Sequence, residues 1–198
     1  MKFMVATVLS IFSVGVLADS WGGALSLDPA KTNIIKATTT LTPGAAPFPQ
    51  TGELFLWPGM SNGTGDLIQT TLESWPDNTW CGATPGQWCV RASVFGGFGQ
   101  IDSTTTQTVS IAGKVVATLN HDSGPFMKGW GTGTECDGGC SGSIAAQTYT
   151  NTTIMFDAAD PNFVNTLVLS GGTTFTGFAN QQGGKVWTIA SIHIPAMV

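Results

Sequence analysis

No stretch of this chain sustains an apolar stripe at helical spacing for more than two turns. Threonine-rich alternation takes its place, broken repeatedly by turn residues, with 26 glycines and 10 prolines among 198 residues. Residues branched at Cβ lose side-chain freedom in a helix and pack well on a pleated sheet. The chain is therefore expected to be all-β, an antiparallel β-sandwich or jelly roll of roughly nine or ten short strands. A parallel α/β fold would need crossover helices. The single helical candidate is a turn near Ala158–Phe163, with Asp157 placed to cap it and Pro161 to limit it.

Strands are expected at Asn33–Thr42, Glu53–Trp57, Asp66–Trp75, Trp88–Phe95, Gln107–Ser110 and Val115–Leu119. Further strands are expected at Ala145–Phe156, Thr166–Leu169, Thr173–Phe178 and Lys185–Pro195. Pro58-Gly59 should end the second of these, and Ala112-Gly113 reads as a hairpin turn. Residues 19–31 read as a loose lead, and Gly124–Gly142 as a long glycine-rich loop.

The N-terminus carries an address. Lys2 precedes an apolar run from Phe3 through Val16, and Val16-Leu17-Ala18 has the form of a cleavage site. Residues 1–18 are expected to be a secretory signal peptide, leaving 19–198 as one domain. The apolar run is shorter than the ~20 residues that span a bilayer. Loss of Lys2 takes the net charge from −5 to −6. With Arg91 the only arginine and no basic patch, neither nucleic acid nor an anionic membrane is an expected partner. The chain is expected to be a secreted monomer, free or held at a cell wall, with no cofactor.

Four cysteines fit an oxidising compartment. Local pairs, Cys81–Cys89 and Cys136–Cys140, are the simplest arrangement, and crossed pairing stays open. A zinc site is the rival, but CxxxC with a distant second pair is a poor match to tetrahedral ligation, and no metal is assigned. Calcium at Asp122, Glu135 and Asp137, in the expected loop, is a minor alternative. Two sequons, Asn62-Gly63-Thr64 and Asn151-Thr152-Thr153, belong on the surface if used.

Alternation assigns faces to the strands. Leu54 and Leu56 point one way and Glu53, Phe55 and Trp57 the other. Ile68 and Leu72 oppose Leu67, Gln69, Glu73 and Trp75. If the two strands are neighbours, one sheet face carries Trp57, Gln69, Glu73 and Trp75 together, an arrangement suited to an extended polymer. Trp57 and Trp75 serve equally well as core. Trp88 and Trp187 belong to the core by their apolar companions. Glu53 and Glu73 are candidates for the two carboxyl groups of glycoside cleavage, and Gln69 for a polar partner beside them. Arg91 would clamp an acidic sugar or pair with Glu73. His121-Asp122 and His193 are weaker acid–base candidates. These features favour an extracellular polysaccharide as ligand or substrate, with denatured protein, or no substrate at all, as alternatives.

Leu54–Asp77, LFLWPGMSNGTGDLIQTTLESWPD, resembles the opening of the secreted fungal acid glutamic peptidases (eqolisins), which are concanavalin-A-like β-sandwiches. Trp57-Pro58-Gly59 falls on that family's Trp-x-Gly stretch and Leu67-Ile68-Gln69 on its glutamine motif. The resemblance implies that Gln69 is the catalytic glutamine. The family's Ala-Glu-Trp-Ile-like stretch has no counterpart: Gln147–Phe156 takes its place and holds no glutamate. The texture is similar also to secreted fungal polysaccharide hydrolases, lyases and lectins.

Overall fold

The computed structural model describes residues 20–63, 66–95, 103–123 and 127–197. Residues 1–18 and Thr64 of the first sequon lie outside the described residues, as do the side chains of His121 and Asp122. Among the described residues thirteen strands follow one another: β1 (Ser20–Leu27), β2 (Ile34–Thr42), β3 (Thr51–Ser61), β4 (Leu67–Ser74), β5 (Cys89–Phe95), β6 (Ser103–Ile111), β7 (Lys114–Ser123), β8 (Gly129–Ser141), β9 (Gln147–Phe156), β10 (Leu167–Ser170), β11 (Thr174–Thr176), β12 (Ala179–Gln181) and β13 (Val186–Ile194). The protein is all-β, with two antiparallel sheets packed partly against each other. The larger runs β10-β1-β8-β3-β4-β5, and the second runs β11-β13-β9-β2, with β12 also on β13. The hairpin β6-β7 stands apart and touches β5. The expected helix near Ala158–Phe163 is only a short 3₁₀ turn at Phe163–Thr166.

The core lies between the sheets. Leu25, Leu27, Ile68 and Trp130 of the larger sheet meet Tyr149, Ile154, Trp187, Ile189, Ile192 and Ile194 of the second, with Phe156 and Phe163 beside them. A smaller cluster forms around Leu54, Leu56, Cys136 and Ile144. Leu54, Leu56 and Ile68 thus take the inward places that alternation assigns them.

Two segments depart from the sequence reading. Strand β3 does not stop at Pro58-Gly59; it continues to Ser61, paired with β8 on one side and β4 on the other. Proline gives the ladder no N–H. Beside it, the Trp57 carbonyl accepts hydrogen bonds from the Thr132 hydroxyl at 2.7 Å and the Tyr149 hydroxyl at 3.3 Å. The second departure is the supposed loop at 124–142, of which Gly129–Ser141 is strand β8, between β1 and β3. Its sequence alternates strictly. Trp130, Thr132, Thr134 and Cys136 face the second sheet, and Gly129, Gly131, Gly133, Glu135 and Asp137 face away. The lead at 19–31 likewise contains a paired strand, β1.

Candidate functional site: carboxyl groups on the outer face of the larger sheet

Register builds this face row by row, because directly opposed residues of antiparallel strands project to the same side. One row reads Trp21 (β1), Glu135 (β8), Phe55 (β3), Glu73 (β4). The next row toward one end pairs Asp137 with Glu53. Toward the other end come Ala24, Gly133 and Trp57, then Ser26, Gly131, Gly59, Gln69 and Ser93. Four carboxyl groups therefore gather at one end, and small residues, with Trp57 and Gln69 among them, occupy the rest.

Glycine makes this possible. A Cβ on Gly133 would stand 3.2 Å from Cζ2 of Trp57 and 3.5 Å from the Ala24 Cβ. The indole lies across the bare strand and is only 2% exposed. Trp57 is therefore packed against the sheet and is not an open platform. Its side chain lies against the Glu135 carboxyl and favours the ionised form of that group. Trp21 packs edge-on against it, ring centroids 6.4 Å apart, and remains 47% exposed beside Glu135.

Glu135 is the most perturbed carboxyl of the face. Burial and the nearby Asp137 push it up to about 7 from an ordinary 4.5, while the adjoining Trp57 side chain opposes the rise. The more open Glu53 is also raised, by partial burial and by the charges of Asp137 and Glu73, with Arg91 pulling the other way. Glu53 and Glu135 lie diagonally on neighbouring strands, so their Cα atoms are ~7–8 Å apart.

Glu73 has a different setting. It is 2% exposed, accepts the Thr71 hydroxyl at 2.6 Å, and pairs with Arg91 Nε at 3.5 Å through the same oxygen, Oε1. Its other oxygen, Oε2, is buried without a hydrogen-bond partner. Arg91, itself 43% exposed, stacks in turn on aromatic rings, its guanidinium 4.4 Å from the Trp80 ring and 5.8 Å from that of Trp75. The connection between β4 and β5 that carries these rings is built on buried Asn78. The Asn78 amide accepts from Trp75 N–H and donates to the carbonyls of Thr84 and Gln87. The Cys81–Cys89 disulfide closes the same loop. Trp80 keeps 39% of its surface exposed. The second disulfide, Cys136–Cys140, lies where β8 leaves the acidic end.

The sequence-derived candidates thus share a face but not a point. Trp57 and Glu73 are on it and buried, Trp75 is partly covered, and Arg91 is engaged with Glu73. Gln69 sits two rows from Glu73, ~13 Å along the strand. From Glu135 it is displaced by two strands and four residues, ~16 Å between Cα atoms. That separation keeps the amide and the carboxyl from sharing one water. Gln69 instead flanks Gly59, which borders a small pocket of about 10 Å³ lined also by Ser26, Asp28, Ser61, Leu67 and Trp130. Burial raises Asp28 there, and its Oδ1 has no hydrogen-bond partner. Among the described residues no group of three or more His, Cys, Asp or Glu is arranged to hold a metal ion.

Sequence reasoning missed Glu135, Trp21 and Trp80 as members of this site. The signal for Glu135 was present in the period-2 run from Gly129 to Asp137, where glycine masked the usual marks of a strand. No family model, curated protein or solved structure matches the chain.

Proposed function

We propose that the protein is a secreted hydrolase of an extended cell-wall polysaccharide, with Glu135 as general acid and Glu53 as its partner carboxylate. The observation that carries this reading is the placement of Glu135. It is a carboxyl raised to about 7 on an open sheet face, diagonal to a second carboxyl that is more exposed. Two carboxyl groups whose surroundings separate their protonation states suit acid and base roles. Between the Glu53 value and about 7, Glu135 holds its proton while Glu53 is ionised. Glu135 then protonates the leaving glycosidic oxygen. Glu53 either attacks the anomeric carbon or deprotonates the water that does.

Exposed Trp21 and Trp80 flank the carboxyl groups on β1 and beside β5. The four strand spacings between β1 and β5 amount to ~19 Å. A sugar chain crossing the strands would stack on an indole at either end, since each ring offers an apolar face. Glu73, buried under Arg91, holds Arg91 and the Trp75–Trp80 loop in place. In this reading the two sheets are the leaves of a concanavalin-A-like sandwich formed by residues 19–198, and residues 1–18 are the signal that exports it. The distance between Gln69 and Glu135 weighs against the glutamic peptidase alternative.

The test is release of new reducing ends from a panel of fungal and plant wall glycans between pH 4 and 8. Activity should peak on the acid side of neutrality, with an upper limb near pH 7. Glu135→Gln should lower kcat at least a hundredfold while the variant stays folded. Binding without cleavage would leave a lectin-like role for the face, and neither binding nor cleavage would end the reading.

A further inference from the structure

The second sheet turns an unusual face outward. Thr38, Thr153 and Thr188 form one row; Thr40, Thr150, Ser191 and Thr176 a second; Thr42, Thr148, His193 and Thr174 a third. All are exposed or half-exposed, and the rows hold no Asp, Glu, Lys or Arg. Apart from His193, each position offers a methyl or methylene beside a hydroxyl, at strand spacings of ~4.8 Å. Among the described residues, strand β2 closes this sheet on one side with no further strand beyond it. It is nine residues long, and Ile35 at its start is 58% exposed. A long unpaired edge is a template for pairing with another chain unless something covers it.

Asn151 rises from the middle of this face, one strand in from that edge. Tyr149 and Thr152 point inward, and between them both Thr150 and Asn151 point outward, at a bulge where β2 slips register. Asn151 has φ +53°, a left-handed conformation that asparagine tolerates better than most residues. Its side chain is exposed and makes no hydrogen bond among the described residues. Thr153, which completes the sequon, stands in the outer row. Asn62 is different: its amide donates to Asp66 Oδ2 at 2.7 Å and accepts from Asp66 N–H at 3.1 Å, closing a turn.

We propose that Asn151 is an N-glycosylation site whose first sugars lie on the threonine face and cover the open β2 edge. The donor is an oligosaccharide on a lipid diphosphate, met as the chain enters the secretory pathway. The Asn151 amide nitrogen bonds to C1 of the first sugar and loses a proton. The C1–O bond breaks, and the lipid diphosphate leaves with the electron pair. The sugars then rest across Thr40, Thr150 and Ser191, with hydroxyls meeting hydroxyls and ring faces meeting threonine methyls. This inference depends on export and is independent of the hydrolase reading.

The test is secretion of the full chain from yeast, with the mature N-terminus sequenced. Endoglycosidase H should shift the secreted protein on a gel. Asn151→Gln and Thr153→Val should each abolish the Asn151 glycopeptide, the second while leaving Asn151 in place, and Asn62→Gln should retain it. Amide exchange at Thr38–Thr42 should be several-fold faster in the unglycosylated variants, and heating should aggregate them sooner. A secreted protein unmodified at Asn151 overturns the proposal. So does a glycan whose enzymatic removal changes neither β2 exchange nor aggregation. Retention in the cell with the leader uncleaved removes its premise.

Discussion

Glu135→Gln offers a measurement that does not require a substrate. In the fold the carboxyl holds its proton to about pH 7, whereas its ordinary value is 4.5. Between those values the folded protein binds a proton that the unfolded chain has released. Stability therefore falls as pH rises through this window. Below pH 4.5 nothing is lost, and above pH 7 the loss is complete. The full difference is worth about 3 kcal/mol. Solvent reaches part of the group, and screening reduces the expected effect to about 2 kcal/mol. Glutamine cannot ionise and has no such dependence. The variant should match the parent at pH 4–5 and exceed it by about 2 kcal/mol at pH 8, or roughly 4–8 °C in Tm for a chain of this size. Urea titrations of both proteins at pH 4.5, 6 and 8 give the comparison directly. Asp28 and Glu53 also carry raised values, but they are common to both proteins and cancel. A stability gap that does not change with pH would refute the assignment of a buried, high-pKa carboxyl to Glu135.

Other substitutions probe the supports of the face. Gly133→Val should force Trp57 off β8, since even a Cβ would sit 3.2 Å from its ring; a loss of about 1–3 kcal/mol in urea and a shifted tryptophan emission are expected. Arg91→Ala should leave buried Glu73 with the Thr71 hydroxyl alone and lower stability by about 2 kcal/mol at neutral pH. Arg91→Lys should recover little of this, because an ammonium does not reproduce the guanidinium's planar stacking on Trp80. Replacing Cys81 and Cys89 together by serine should lower stability by about 2.5 kcal/mol through loss of a short loop closure, measured as a fall in Tm.

The strand faces most open to reading from sequence were those on which apolar residues alternate. Leu54/Leu56 and Ile68 went inward because burial of their side chains decides the register. The same logic left Trp57 open between core and groove, because its partner across the strand is glycine. An outward indole becomes buried when its neighbour has no side chain, and a single strand's pattern does not show what its neighbour lacks. Strand β8 was illegible for a related reason. Glycine marks loops by its freedom, yet Gly129, Gly131 and Gly133 are held straight by partners on both sides. Glu135 was hidden with them. Pro58 looked like a terminator because proline brings no N–H to a ladder, whereas pairing with β8 and β4 on either side, and the Thr132 and Tyr149 hydroxyls on the Trp57 carbonyl, come from elsewhere in the fold. The local disulfides were legible because short spacing needs no tertiary knowledge.

The position of β8 between β1 and β3 also sets the order in which the molecule can be assembled. Strand β1 lies within the first 27 residues, yet it pairs Trp21 with Glu135 and Leu27 with Trp130, partners more than one hundred residues later. A chain emerging from its N-terminus must hold an unpaired strand until most of the sheet has been made. Folding dominated by such distant pairings is slow. Trp21 and Glu135 therefore come together only after β8 is threaded into place, and until then the acidic face does not exist.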